Sequence, residues 1–237
     1  GFVLEKRVKS SVLALPILFV TVLISEKVFY FALFVVSFLG LYEYFSTIEK
    51  GNIRNIKPMK YLGIIMGLIL QFLIESKNLQ NLILPFSSIC MLILLSLPVF
   101  SRKYNFTGAG ATLLGIIYIP TFFSYLYLIP TYGIGLIWFV FIISWLSDTS
   151  AYYSGRAFGR TKLCPEVSPH KTVEGAIGGL IGSTLGCIVY GGILKYFSVI
   201  NIPLIHLVIM GITGSMISVL GDLSASSIKR NVGAKDF

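Results

Sequence analysis

The chain has 237 residues, of which 55% are hydrophobic and 12% charged, and it carries a formal net charge of +9. Soluble domains average about 25% charged residues; a share this low, with a mean hydropathy of +0.85, excludes a water-soluble fold. The excess of positive charge lies in short segments between apolar runs, a placement that suits a membrane surface and speaks against a nucleic-acid-binding module.

Apolar runs of membrane-spanning length recur from end to end and predict eight spans, over residues 8–25, 28–47, 59–75, 80–100, 109–130, 132–154, 174–197 and 202–221. The fold class expected is all-α, a polytopic transmembrane helical bundle. The first run follows Glu5-Lys6-Arg7 without a small-residue cleavage site, so it reads as a retained helix and not a signal peptide. An opening on Gly1 in place of methionine reads as a trimmed start. Placed on these spans, 16 of the 19 basic residues fall on one side, leaving Lys27, Lys77 and Lys195 opposite. The positive-inside rule makes the basic side cytoplasmic and puts both termini there. Cys90 and Cys187 lie in spans and Cys164 in a loop, with no CxxC spacing, so three free thiols are expected and no zinc site.

Polar residues gather at the cytoplasmic ends. The segment Arg156–Glu174 is the most polar in the chain and is punctuated by Gly159, Pro165 and Pro169, so it is expected to be a loop. Glu43, Asp148 and Asp222 all approach the cytoplasm from within spans, where a carboxylate is costly and usually functional. Asp148 sits among Ser147, Thr149, Ser150 and Ser154, which reads as a polar pocket at a helix end. Glu43 has no polar company and reads as one half of an interfacial ion pair. Glu75, at the opposite face, reads as a solvated helix end. Gly175, Gly178, Gly179, Gly182 and Gly186 in span seven give overlapping GxxxG spacings, a signal for close helix packing. Thr172 is the expected N-cap of that span, whose first N–H groups would favour a phosphate beside Lys171. His170 and His206 are isolated and form no metal pattern.

In span eight, Gly211, Ser215, Ser218, Asp222, Ser226 and Lys229 follow one another at steps of three or four and so share a helix face, with Arg230 beside them. Carboxylates, several cations and a helix N-terminus at one interface suit metal-assisted phosphoryl or nucleotidyl transfer on a lipid. Mg²⁺ needs only one or two carboxylates plus substrate phosphates. A phosphomonoester nucleophile is already largely ionised at neutral pH, so no general base is required.

These residues also carry a family resemblance. Ser226-Ser-Ile-Lys-Arg-Asn-Val-Gly-Ala-Lys-Asp236 resembles the first half of the phosphatidate cytidylyltransferase (CDP-diacylglycerol synthase) signature, S-x-x-K-R-x-x-x-x-K-D. The stretches Ser147–Arg156, Lys162–Gly175, Leu220-Gly-Asp222 and Leu4–Ser10 are similar to that family as well. The resemblance implies transfer of a cytidylyl group from CTP to phosphatidate, giving CDP-diacylglycerol and pyrophosphate, with Mg²⁺ (one ion or two), in a homodimer within the cell inner membrane. It implies Asp222 and Asp148 as metal ligands. Asp148, Lys171, Asp222, Lys229 and Arg230 would be the catalytic set; Ser168, Thr172, Glu174, Ser226, Lys235 and Asp236 would bind substrate and nucleotide. On this reading residues 1–237 form a single integral membrane domain, with 1–105 giving N-terminal spans and 106–237 carrying the catalytic cytoplasmic face. The family signature continues past Lys-Asp into a Gly/His-rich turn, a second Asp pair and a final helix. A further helix is therefore expected after residue 237, and residues 1–237 alone are expected to be inactive. Two other readings are weighed: another lipid or polyprenol nucleotidyl- or phosphotransferase, and an ion-coupled transporter. The surface position of the polar residues and the lack of repeated halves count against the transporter.

Overall fold

A computed structural model describes residues 21–22, 24–51 and 56–233. Seven α-helices carry the described chain: α1 Glu26–Gly51, α2 Lys60–Glu75, α3 Ile83–Phe100, α4 Phe106–Leu128, α5 Ile137–Phe158, α6 Val173–Tyr196 and α7 Leu204–Val232. Six segments are long and apolar enough to cross a membrane: Glu26–Gly51, Gln80–Phe100, Phe106–Tyr132, Ile134–Phe158, Val173–Tyr196 and Leu204–Asn231. Of the eight expected spans, these six are matched. The span expected at 8–25 lies almost wholly outside the described residues. The span expected at 59–75 is helical but has 16 residues, about 24 Å at 1.5 Å per residue and short of a hydrocarbon core of about 30 Å. Phe31, Leu84, Val99, Ile181 and Ile217 are among the large apolar side chains left uncovered, as lipid-facing positions must be.

The chain divides into two compact units, one containing residues 56–128 with those up to 50, the other residues 129–233 with 51. In the first unit α2 packs on α4, and Met59, Met66, Leu70, Cys90, Leu94, Ala109 and Ile116 form a core. Phe45 of α1 is fully buried, and glycine makes room for it: a Cβ at Gly63 or Gly115 would run into its ring. Tyr44 Oη donates to the Ala111 carbonyl at 2.9 Å. The start of α2 is held by Met59 N donating to Thr112 Oγ1 at 2.9 Å.

Glu75 departs from expectation. It is 6% exposed, not a solvated helix end, and Gln71 Nε2, one turn earlier, donates to its Oε1 at 3.0 Å. Its helix is about ten residues shorter than α1 and seven shorter than α4, so its last residue lies beside its neighbours instead of beyond them. Glu43 is exposed.

In the second unit α6 packs against both α5 and α7. The glycine spacing does what it promised. A Cβ at Gly178 would overlap Ser154, one at Gly182 would overlap Ser150, and one at Gly175 would stand 2.8 Å from the Ala151 carbonyl. Helix α6 meets α7 through Ser183 Oγ, which donates to the Gly179 carbonyl at 2.8 Å and lies 3.0 Å from the Gly211 carbonyl. Phe139, Ile143, Cys187, Leu194 and Leu207 fill the apolar layer below.

The segment expected to be a plain loop contains a small antiparallel hairpin, β1 Lys162–Cys164 with β2 Ser168–Thr172. Lys162 pairs with Thr172 and Cys164 with Ser168, with an irregularity between. Pro165 and Pro169 argued against strands, but both fall where no ladder N–H is demanded: one in the turn, one beside the irregularity.

Candidate active site

The charged groups of the second unit meet where α5, β2 and α7 come together. Helix α7 runs unbroken from Leu204 to Val232 and ends at Gly233, whose positive φ of 73° suits a glycine cap. The tail from Asp222 to Arg230 is therefore helical, and Asp222, Ser226, Lys229 and Arg230 share its face as their spacing requires. Lys171, the penultimate residue of β2, places its Nζ 2.5 Å from Asp222 Oδ2. Asp148 of α5 lies within electrostatic reach of both. Two carboxylates and one ammonium, from three elements far apart in sequence, thus form one cluster. The Asp222 side chain is 58% exposed and that of Lys171 24%, so the pair is open on the acid's side.

The hairpin is positioned by its own polar contacts. Thr172 caps α6 as expected: its Oγ1 accepts from Gly175 N at 3.1 Å, worth about 1 kcal/mol. Glu174, in the first turn of α6, accepts from Arg160 N at 3.1 Å and Thr161 N at 3.1 Å. Val173 N donates to the Thr161 carbonyl at 2.9 Å. Lys162 Nζ donates to the Pro169 carbonyl at 2.7 Å, across the hairpin. The first N–H groups of α6 are thus engaged within the chain, with a carboxylate beside them. That removes the main reason to seat a phosphate on this helix start. Glu174 anchors residues 160–161, a task its sequence context did not reveal.

The serines around Asp148 also differ from expectation. Ser147 Oγ is 2.7 Å from Ser215 Oγ, both residues fully buried between α5 and α7. Ser150 and Ser154 seat against Gly182 and Gly178 of α6. They are packing groups on the face of α5 that meets its neighbours, whereas Asp148 is exposed on another. Ser168 opens β2 opposite Cys164, and Ser226 is half-buried one turn past Asp222. Lys229 and Arg230 follow Asp222 by seven and eight residues, roughly 10–12 Å along the axis. The cluster and the outer cations therefore stand at two levels, which fits a ligand with several phosphates in line better than a single phosphate. Lys235 and Asp236 lie outside the described residues.

Among the described residues no three acids, histidines or cysteines gather into a ready-made metal cage. Two carboxylates beside one lysine leave a net charge of −1 and an exposed acid, a donor set suited to an ion that takes its other ligands from phosphate and water.

Comparison with known proteins agrees with this chemistry. A sequence model of the Cytidylyltransferase family matches residues 5–237. A phosphatidate cytidylyltransferase from Staphylococcus saprophyticus is 38% identical over 193 residues, covering 79% of this chain and 73% of the relative. Its counterpart from Staphylococcus haemolyticus is 36% identical with the same coverage. One from Haemophilus influenzae is 42% identical over 107 residues, 45% of this chain and 37% of the relative.

Proposed function

The chain belongs to the cytidylyltransferase family, and from that premise we infer that it is a CTP:phosphatidate cytidylyltransferase, an integral membrane enzyme of phospholipid biosynthesis. An oxygen of the phosphatidate phosphate attacks the α-phosphorus of CTP. The bond from that phosphorus to the bridging oxygen breaks, and pyrophosphate leaves with the electron pair. CDP-diacylglycerol remains in the bilayer.

The observation that carries the assignment of residues is the cluster of Lys171, Asp222 and Asp148. In this reading Lys171 neutralises charge on the transferring phosphoryl group, and Asp222 holds the lysine in place. Lys229 and Arg230, farther along α7, bind the outer phosphates of the nucleotide. Asp222 and Asp148 would hold Mg²⁺, which when bound neutralises phosphate oxygens. Thr172 and Glu174 position Lys171 by fixing the hairpin. Ser168, Ser226, Lys235 and Asp236 complete the substrate-binding set on the strength of the family resemblance. We also propose eight spans, cytoplasmic placement of the site, residence in the inner membrane and homodimer assembly. The distribution of basic residues supports the orientation; the dimer rests on the resemblance and is checked by cross-linking in membranes.

The reaction is tested with detergent-solubilised full-length protein, phosphatidate, Mg²⁺ and CTP labelled at either the α- or the γ-phosphate. The α-label is expected in the lipid phase and the γ-label in pyrophosphate. Label from the γ-position entering lipid would replace this reading with phosphoryl transfer.

A further inference from the structure

A second polar site lies in the first unit, at the end of the helices remote from Lys50 and Lys60. Glu26, Lys27 and Tyr30 of α1, Phe72 and Glu75 of α2, Ser76 just past its end, and Tyr127 of α4 line a pocket of about 420 Å³. Nothing in the proposed reaction uses it. Glu75 is 94% buried by its 6% exposure, yet its Oε2 has no hydrogen-bond partner. Gln71 and Ser124 stand beside the carboxylate but do not line the pocket. A buried acceptor without a donor is costly, by about 1–3 kcal/mol and more for a charged group. Glu75 is itself a wall of the pocket, so its unpaired oxygen calls for a guest that brings donors.

The other walls narrow its chemistry. Tyr30 and Tyr127 meet edge to face at 5.3 Å between ring centroids, and Phe72 adds a third ring. Glu26 is fixed at the mouth by Tyr127 Oη, which donates to its Oε1 at 3.0 Å. Aromatic faces with two carboxylates attract a cation. A primary ammonium supplies three N–H donors and no acceptor. A bare inorganic cation is also drawn to such rings, but it brings neither N–H donors nor an anionic group for Lys27. Lys27, also at the mouth, suits an anionic group carried on the same guest.

We propose that this pocket binds an ammonium–phosphate zwitterion: the ammonium directed toward Glu75 and Glu26 beside the rings, the phosphate beside Lys27. The guest is either the headgroup of an aminophospholipid or a soluble phosphoamine of the same chemistry. The pocket shares no residue with the cytidylyl-transfer cluster, and its test does not depend on that activity.

The test is native mass spectrometry of the full chain extracted from nanodiscs of equal phosphatidylethanolamine, phosphatidylcholine and phosphatidylglycerol. The wild type is expected to retain the ethanolamine lipid over the other two by about tenfold. Glu75→Gln and Glu26→Gln should each bring that preference near unity with the thermal unfolding midpoint held. Glu26 is exposed, so its variant decides the matter if Glu75→Gln fails to fold. Displacement of the lipid by free phosphoethanolamine identifies a soluble guest; retention against it identifies the headgroup. Equal retention of all three lipids, or a preference unchanged in both variants, overturns the proposal.

Discussion

Glycines in the first unit receive aromatic rings, Phe45 against Gly63 and Gly115; glycines in the second receive serines, Ser154 against Gly178 and Ser150 against Gly182. Both devices let helices approach, but with different consequences. A ring filling a glycine hole gives apolar contact and an interior with no use for charge. Where a polar group enters that interior, as at Glu75, it is boxed in with few partners. Serine knobs are small, so α5 and α6 lie close and the hairpin between them is short. Asp148, Lys171 and Asp222 gather at one end of this unit, where the two acids stay exposed. The second unit is built to present charge, the first to cover it.

Metal removal is the strongest way to sharpen this contrast. Chelation of divalent ions should abolish cytidylyl transfer, with recovery on adding Mg²⁺ and little change in helix content by circular dichroism. A protein that unfolds on chelation would make the ion structural. Truncating the ring is the next largest change. Phe45→Ala should lower stability by about 3–5 kcal/mol, read from denaturant unfolding in mixed micelles, while KM for CTP in the surviving fraction stays as in wild type. Gly178→Val forces a side chain into Ser154 and should lower stability by about 1–3 kcal/mol. It should also lower kcat, because α5 carries Asp148. Gly192→Ala is the control, since nothing lies within 4 Å of that Cβ; equal effects from the two variants would break the serine-knob account. The smallest effect is expected from Thr172→Ala, about 1 kcal/mol from the lost cap. There the change should appear mainly in KM for CTP, through a loosened Lys171.

Features set by local spacing were legible in the sequence. The glycine face of α6, the Thr172 cap and the continuous polar stripe of α7 each depend on residues within a few turns of one another, and each stands in the structure. The pairing of Lys171 with Asp222 was legible only as shared chemistry on one side of the membrane; fifty residues separate them, and no periodicity specifies the contact. Three features needed tertiary information. Glu75 is buried because its helix is shorter than α1 and α4, and lengths of neighbours are not written in the residue itself. Ser150 and Ser154 looked like company for Asp148, but a step of one residue turns a helix by about 100° and puts them on another face. The hold of Glu174 on the backbone N–H groups of residues 160 and 161 joins residues more than a dozen positions apart, and no local spacing announces it.

The central claim is that Lys171 and Asp222 act as one unit in cytidylyl transfer. Its most direct test is a double-mutant cycle on kcat/KM with Lys171→Ala, Asp222→Asn and the pair together. Each single substitution should cost on the order of 10²–10³-fold, and the double variant should be little worse than either, as for groups that function together. Near-wild-type turnover in either single variant, or losses that multiply in the double, would contradict it.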